Sequence, residues 1–456
     1  MVLWSVVFVP GCFGRRVRPI AHKAPQERLF AAITPGADQH ALRRHNLALV
    51  LGHVARRGAR SRARIAEETG LNKSTVSKLV GELISLGLLA WTITGEPSGR
   101  GRPARCVTLS GRRFAGVGLK LAPLSAAIRI VDLAGATRHA RVVAMDNRGA
   151  DPGEVVARLA ELVREGLEHL AGQGLSAAGV TLAVPGLVRG GSGVMLAAPA
   201  LGWPSVALGR ELAAALDDPA LPIVVEKEAS AGALGELWRG AGREHGSFVY
   251  VSGEGSVEAG VVIDGRVFSG ADGLGGELGH LRVEPDGRPC PCGGAGCLET
   301  RVGAAALAER AGMPDADSLV AARVLAERAR EGDSLALAAL EDIGRWLGHG
   351  LASLSNLLNP EAIVLGGHFA PLAGWLTTPI EVEVRRRVLS ARWSRPALVA
   401  EAPGADQVGH GAAIRALLPL LADPGIVAPV EAPAPLVGPR NVVRLPLEPR
   451  LMTLSP

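Results

Sequence analysis

The sequence predicts an α/β protein of two lobes, preceded by a small α+β domain with a winged helix-turn-helix arrangement. Two series of strand-like runs followed by helical runs, at 116–240 and 247–357, predict the lobes. The charge pattern predicts the separate first domain. Residues 39–110 contain twelve lysines and arginines against four acidic residues, whereas the chain after Ser110 has an acidic excess.

The 456 residues, 48% hydrophobic and 20% charged, are enough for more than one folded domain. We expect a disordered extension at 1–38, the first domain at 39–110, the two lobes at 111–422 and a disordered, proline-rich tail at 423–456. The apolar start precedes its basic residues, whereas an export signal has them in front. No apolar run is long enough to cross a membrane, and cysteines are few, so we expect a cytoplasmic protein.

The first domain is predicted to begin with a helix at 41–57, followed by a short helix at 62–69 that Ser61 caps. Gly70 ends this helix, and Asn72 caps a third helix at 73–86. In a helix-turn-helix, the second helix of the motif enters the major groove by its N-terminal end. The candidate DNA contacts on it are Lys73, Ser74, Thr75, Ser77 and Lys78.

Two extended runs, 88–94 and 105–109, follow and are joined by a polar, glycine-rich tip that contains Arg100 and Arg102. This pattern predicts the wing of a winged helix, with both arginines placed to reach phosphates or a minor groove. A three-helix module that binds protein is the alternative, although it would not need the basic helix and the arginine tip. The segment therefore predicts double-stranded DNA as a partner.

The lobes are predicted from their hydrophobic patterns in chain order. The first lobe has strands at 116–121, 126–133 and 137–145, a helix at 152–170, strands at 179–184 and 223–225, and a helix at 229–240. A second set of strands spans 247–268, the chain is mainly helical from 298 to 357, and a further strand spans 359–365.

Between residues 277 and 299 lie one histidine and three cysteines: His280, Cys290, Cys292 and Cys297. Thiolate is a soft ligand, and three cysteines with one histidine complete the tetrahedral shell of zinc. Four protein ligands leave no open coordination position, so we expect a structural zinc in a knuckle at 280–297. The alternative is a set of buried thiols that bind nothing.

The pattern E-x-G-H followed by C-x-C-G-x-x-G-C-x-E resembles the ROK family of repressors and sugar kinases. The resemblance implies the actin-like, sugar-kinase fold for residues 111–422. In that family the first glutamate, the histidine and the last glutamate line the sugar pocket, which here implies Glu277, His280 and Glu299 as effector-binding residues. These three residues could instead serve only to support the knuckle. The first domain resembles the DNA-binding domain of ROK repressors, which the sugar kinases lack.

The kinase site of that family is altered in three places. Lys120 occupies the first phosphate turn, and Glu254 and Glu258 add carboxylates to the second phosphate loop, where they would repel a triphosphate. Lys227 and Glu228 replace the catalytic Asn-Asp pair. We therefore expect no catalytic residues and no enzyme activity. The alternative is a glucokinase-like ROK kinase that phosphorylates a hexose with ATP.

The sugar side is altered as well, because Ala200 stands where the family has an asparagine. We expect Lys227 and Glu228 to satisfy each other across the sugar space, which would weaken binding of the usual hexoses. The sequence as a whole predicts a homodimeric repressor, or a dimer of dimers, that binds an inverted-repeat operator. Its inactive kinase-like body would respond to a small sugar and tie the protein to carbohydrate metabolism.

Overall fold

The computed structural model describes residues 39–93 and 105–427. The first domain contains three helices and a small antiparallel sheet in the order β1-β3-β2. Its elements are α1 (Gln39–Arg57), β1 (Arg60–Ser61), α2 (Arg62–Thr69), α3 (Lys73–Ser85), β2 (Leu89–Ile93) and β3 (Arg105–Leu109). These bounds agree with the winged helix-turn-helix prediction to within two residues, and β1 is an addition to it.

Local caps explain where α2 and α3 begin and end. The Ser61 side chain accepts a hydrogen bond from the Arg64 N–H, and the Asn72 side chain accepts one from the Thr75 N–H at 2.7 Å. Gly70 adopts a left-handed conformation with φ 74°, which ends α2 at low steric cost. The predicted turn is therefore confirmed. The wing tip and its two arginines lie outside the described residues.

Lobe 1 is built on a five-stranded sheet in the order β10-β7-β4-β5-β6. Strands β4, β7 and β10 are parallel, and β5 and β6 are antiparallel additions at one edge. Its elements are β4 (Phe114–Ala122), β5 (Ser125–Asp132), β6 (Thr137–Ala144), α4 (Pro152–Gly172), β7 (Ser176–Val184), β8 (Leu187–Arg189), β9 (Val194–Ala197), α5 (Leu208–Leu216), β10 (Ile223–Lys227) and α6 (Glu228–Arg239).

Lobe 2 is built on a second five-stranded sheet in the order β13-β12-β11-β14-β15. Its strands are β11 (Phe248–Ser252), β12 (Glu258–Ile263), β13 (Arg266–Phe268), β14 (Ala362–Leu365) and β15 (Ala397–Ala400). Its helices are α7 (Glu299–Val302), α8 (Ala304–Ala311), α9 (Ser318–Arg330), α10 (Ser334–Leu358) and α11 (Ala373–Arg387). The predicted strand at 359–365 begins three residues later, because Asn359 ends α10 in a left-handed conformation.

Helices α6 and α12 (Gln407–Ala422) form the layer between the two sheets. The approach of α12 to strand β4 is so close that a Cβ at Gly116 would lie 1.9 Å from the Ala413 carbonyl oxygen. Contact this close fixes α12 against lobe 1. The two repeats of strands and helices expected from the sequence are confirmed, and they form the two-lobed α/β architecture.

The winged-helix domain shares a hydrophobic core with the body. Leu47 and Leu51 of α1 belong to the same buried cluster as Leu417 and Leu421 of α12. Beyond α12, Pro424–Ile426 forms a short 3-10 helix, and Asp423 makes a salt bridge of 3.5 Å with Arg44 of α1.

The predicted disordered tail at 423–456 therefore starts too early, since residues 423–427 are folded against α1. The remaining residues of that prediction, and the extension at 1–38, lie outside the described residues. Within the described ranges, no helix has the length and apolar character needed to cross a membrane.

Candidate functional site

The four predicted metal ligands converge in the structure. The Sγ atoms of Cys292 and Cys297 are 3.8 Å apart, as are Cys290 Sγ and His280 Nδ1, and all four ligand atoms lie within 4.8 Å of one another. Tetrahedral zinc with Zn–S bonds of about 2.3 Å has ligand–ligand separations of roughly 3.8 Å. The spacing and the donor types therefore fit a zinc ion held by three sulfurs and one imidazole nitrogen.

The backbone of this metal knuckle (residues 280–297) depends on glycine at its tightest point. Gly296 has a φ of 71°, and a Cβ built on it would lie 1.6 Å from the Glu284 carbonyl oxygen. Burial, followed by hydrogen bonds between the Cys297 thiol and the other two cysteines, raises the pKa of Cys297 to about 12. A divalent cation would stabilise the thiolate in place of the proton, which makes metal binding and thiol ionisation a single event.

The three residues that the sequence analysis expects to bind an effector lie in or next to the metal knuckle. Glu277 directly precedes the 3-10 helix Leu278–His280, His280 is the last residue of that helix, and Glu299 begins α7. The Glu299 Oε2 atom accepts a hydrogen bond of 2.6 Å from the Val257 N–H, and burial raises the pKa of Glu299 to about 7. Glu277 accepts a hydrogen bond from the ammonium group of Lys227. Two of the three residues therefore already have protein partners, and His280 belongs to the metal knuckle.

Lys227 and Glu228 do not pair with each other as the sequence analysis expected. The Lys227 ammonium group contacts Glu277 and the Gly275 carbonyl oxygen, the latter at 2.8 Å. Glu228 accepts a hydrogen bond of 2.7 Å from the Ser252 hydroxyl. The reason is local, because Lys227 ends strand β10 and Glu228 begins helix α6, so that the two consecutive side chains diverge.

In the part of the cleft expected from the sequence to be its phosphate side, Lys120 and Glu254 form a buried ion pair with Nζ and Oε2 2.6 Å apart. Asp406 lies 3.8 Å from the same ammonium group. Burial opposes the charge of Lys120, but Glu254 and Asp406 outweigh it and raise the pKa of that lysine. Lys120 is therefore charged and already paired within the protein.

Two buried carboxyl groups beside this pair are poorly satisfied. Burial, followed by the charge of Glu254, raises the pKa of Glu228 to about 8, and burial raises that of Glu258 to about 7. The Oε1 atom of Glu258 accepts hydrogen bonds from the Gly186 N–H and the Ser256 hydroxyl, at 3.0 and 2.7 Å. The Oε2 atoms of Glu228 and Glu258 are buried and have no partner among the described residues.

Three of these contacts cross the cleft between the lobes. Lys120 on β4 contacts Glu254, Lys227 on β10 contacts Glu277, and the loop after β7 contacts Glu258 on β12. We call these contacts the cross-cleft bonds. The sequence analysis noted the residue changes but missed their pairing. The clue available in the sequence was that Lys120 and Glu254 carry opposite charges and lie in two loops that the family resemblance places opposite each other.

The candidate DNA-contact residues lie at the start of α3 and along its outer side. Lys73, Ser74 and Lys78 are exposed, and Thr75 and Ser77 are half-buried. The opposite side of α3 is buried through Val76, Leu79, Val80 and Leu83. This arrangement leaves a basic N-terminal end of α3 at the surface, as the sequence predicts, whereas Arg100 and Arg102 lie outside the described residues.

Comparison with protein families supports the division of the chain. Residues 125–417, more than half of the chain, match the model described as the ROK family. The chain belongs to the ROK family. Residues 48–98 match the model described as the MarR family, in agreement with the winged-helix structure of the first domain.

Relatives of this ROK protein include full-length regulators. It is 29% identical over 340 residues to a xylose repressor from Caldicellulosiruptor bescii, covering 71% of this chain and 83% of the relative. It is 28% identical over 386 residues to the DNA-binding transcriptional dual regulator NagC from Escherichia coli, covering 81% and 92%. A solved ROK transcriptional regulator, titled a homolog of the E. coli MLC protein, superposes with a TM-score of 0.69 at 28% identity, covering 84% and 98%.

Proposed function

We propose that the protein is a DNA-binding transcriptional regulator, acting as a repressor of genes for carbohydrate metabolism in the cytoplasm. The observation that carries this proposal is the winged-helix domain packed on a ROK body whose cleft is crossed by its own side chains. The repressor relatives match both parts of the chain, which supports the same assignment. The proposed domain limits are 39–110 for DNA binding and 111–422 for the body.

DNA binding is assigned to α3 and the wing. Lys73 and Lys78 present two cations at the exposed end of α3, where a helix-turn-helix contacts base edges and phosphates. Ser74, Thr75 and Ser77 supply neutral donors, and Arg100 and Arg102 are the proposed wing contacts. Two copies of this domain related by a two-fold axis would recognise an inverted repeat.

The test is selection of duplex DNA from random fragments, followed by titration at several salt concentrations. Each phosphate contact contributes roughly −0.9 to the slope of log K against log salt, so Lys78→Ala should flatten the slope by about one unit if Lys78 contacts a phosphate. Arg158→Ala is the matched control, because Arg158 is an exposed cation on α4 of the body. The proposal fails if no duplex is selected or if both variants change binding equally.

The body is proposed to be catalytically inactive. Phosphoryl transfer requires donors arranged around the triphosphate and a positioned metal ion. Here the Lys120–Glu254 pair occupies the phosphate side, so the charge of Lys120 is already used within the protein and is not available to a phosphate. The glucokinase-like alternative requires turnover of a hexose with magnesium-ATP.

The metal knuckle is proposed to hold one structural zinc on His280, Cys290, Cys292 and Cys297.

A dimer, or a dimer of dimers, is proposed as the assembly. Three apolar side chains are strongly exposed: Leu357 at the end of α10 (81%), and Leu389 and Trp393 after α11 (85% and 79%). The Leu389 N–H donates a hydrogen bond to the Asn356 side chain, and Asn356 is the neighbour of Leu357 in the chain. Exposed apolar residues grouped in this way are typical of protein interfaces. Light scattering of Trp393→Ser against the unmodified chain tests this assignment.

A small sugar remains the proposed effector, bound near Glu277, His280 and Glu299. Any sugar that used Glu277 would first have to displace Lys227, and Ala200 offers no side-chain amide. Binding should therefore be weak or restricted to an unusual substitution pattern.

A further inference from the structure

A cavity separate from the sugar side lies between the lobes. It has a volume of about 410 Å³ and is lined by Arg129, Thr137, Arg239, Gly240, Ala241, Ala400, Ala402, Ala405, Gln407 and His410. Its walls come from the edge of the first sheet, the end of α6, the loop after β15 and the start of α12. This size is within the range of small-molecule sites. None of the residues discussed above for zinc, sugar or DNA lines it.

The charge that this cavity presents is positive. Arg129 is neutralised by Asp406, whose Oδ2 atom is 2.9 Å from its Nε, and it also contacts the Thr137 hydroxyl. Arg239 is exposed and donates to the Gly135 carbonyl oxygen. Among the described residues, no carboxylate forms a salt bridge with Arg239. One guanidinium charge at the rim is therefore available to a ligand.

His410 lies in the inner wall and is 4% exposed. Burial, followed by the charges of Arg239 and Arg129, lowers its pKa to about 4, so the ring is neutral near pH 7. Within the described residues, the imidazole has no hydrogen-bond partner. A neutral imidazole that lines a cavity can donate one hydrogen bond to an anion.

Glu401 and Glu236 lie behind the wall and accept hydrogen bonds from within the protein, although Glu236 Oε1 is buried and has no partner among the described residues. Glu401 accepts hydrogen bonds from the Tyr250 hydroxyl at 2.8 Å and from the Gln407 N–H at 2.9 Å. Glu236 accepts a weak one from the Gly242 N–H at 3.4 Å. Burial raises the pKa of both carboxyl groups, to about 7 for Glu236, which reduces their negative charge near neutral pH. The four alanines of the lining provide an apolar surface for the rest of a ligand.

We propose that this cavity binds a small organic anion, a carboxylate or phosphate monoester with a short apolar body. Arg239 holds the anionic group, His410 donates to it, and the alanines cover the apolar part. Neither the DNA-binding function nor the sugar pocket is needed for this site, so its test is independent of both. The probes in the test distinguish a carboxylate ligand from a phosphate monoester.

Calorimetric titration of the full chain at low salt is the test, with butyrate, ethyl phosphate and the neutral analogue butyramide as probes. We expect at least one anion to bind and butyramide to bind at least about ten-fold more weakly, the effect of one charge-assisted hydrogen bond. Arg239→Gln should weaken the anion at least about ten-fold, and Arg239→Lys should weaken it less, because the charge is kept.

Arg243→Gln is the matched control, since Arg243 is an exposed arginine four residues further on and outside the cavity wall. Zinc content and melting temperature show that each variant is folded. The proposal is overturned if neither anion binds at millimolar concentration, if butyramide binds as well as butyrate, or if Arg243→Gln weakens binding as much as Arg239→Gln.

Discussion

At the metal knuckle four ligand-type side chains converge on one point, whereas on the phosphate side of the cleft the charged side chains are paired with one another. The first arrangement offers three sulfurs and one imidazole nitrogen within 4.8 Å of one another, a donor set that fits a metal ion. The second is complete without a ligand, because Lys120 and Glu254 supply both charges. The same body therefore combines a cluster that could bind a metal ion with a charge pair whose two partners both belong to the protein.

The difference concerns how the two lobes are held together. A bound nucleotide and sugar would hold two lobes together through contacts to both. In this chain the cross-cleft bonds make direct connections between lobe 1 and lobe 2 at the same places. The cleft is therefore also an interface between the two lobes, and it is separate from the metal knuckle.

The largest expected effect is loss of the metal. Structural zinc in small peptides has an apparent binding free energy of about 10–16 kcal/mol, which is also folding free energy. Cys292→Ser should lower zinc content and melting temperature together, as measured by elemental analysis and calorimetry. Cys106→Ser, which changes a buried cysteine on β3 outside the cluster, should leave zinc content unchanged. Purified, chelator-free protein without zinc would refute this prediction.

The next effect in size concerns the Lys120–Glu254 pair. Removing one partner of a buried ion pair costs about 3–5 kcal/mol, whereas replacing both with apolar residues is often close to neutral. Lys120→Met should therefore be strongly destabilising, and the double variant with Glu254→Met should recover much of that loss in denaturant titration. Arg141→Ala breaks a half-exposed pair with Glu165 and should cost less than about 1 kcal/mol. Equal effects at the two pairs would contradict the structural role given to the cleft pair.

A smaller effect is the dependence of stability on pH. The folded-state pKa values of Glu228 and Glu258, about 8 and about 7, are above the ordinary value of 4.5. The folded state therefore binds these protons more tightly, and their stabilising contribution is lost as pH rises through those values. With saturating zinc, the melting temperature should fall as pH rises from slightly acidic to slightly alkaline. Glu228→Gln should reduce this slope, whereas Glu331→Gln, at an exposed helix end, should not.

The smallest expected effect is the response to kinase substrates, which should be close to zero. A coupled assay with magnesium-ATP and a panel of hexoses should stay at background, because both phosphate loops are altered. Calorimetric titration with glucose, N-acetylglucosamine and xylose should show weak binding or none. Turnover that disappears in Glu228→Ala, or micromolar sugar binding that disappears in Glu277→Ala, would contradict this prediction. Either result would show that substrates can displace the side chains that occupy the cleft.

Local sequence patterns were sufficient for the elements whose causes are local. Ser61, Gly70 and Asn72 fix the bounds of α2 and α3 through caps and a turn, and the four metal ligands lie within eighteen residues. The cross-cleft bonds could not be predicted in the same way. Lys120 and Glu254 are 134 positions apart, and Lys227 and Glu277 are 50 apart, so their pairing follows from how the lobes close. Strand β15 and helix α12 were missed because short or uniformly apolar segments have little periodicity.

The shared core between α1 and α12 has a consequence for the geometry of DNA recognition. A DNA-binding domain on a flexible linker can adjust to half-sites at different separations. Here, however, Leu47 and Leu51 are buried in the same cluster as Leu417 of the body. In an assembled dimer, the distance and angle between the two α3 helices would then be constants of the molecule. Adding one base pair between half-sites turns one relative to the other by roughly a tenth of a helical turn. Such a dimer would select operators by the spacing of their half-sites as well as by their base sequence.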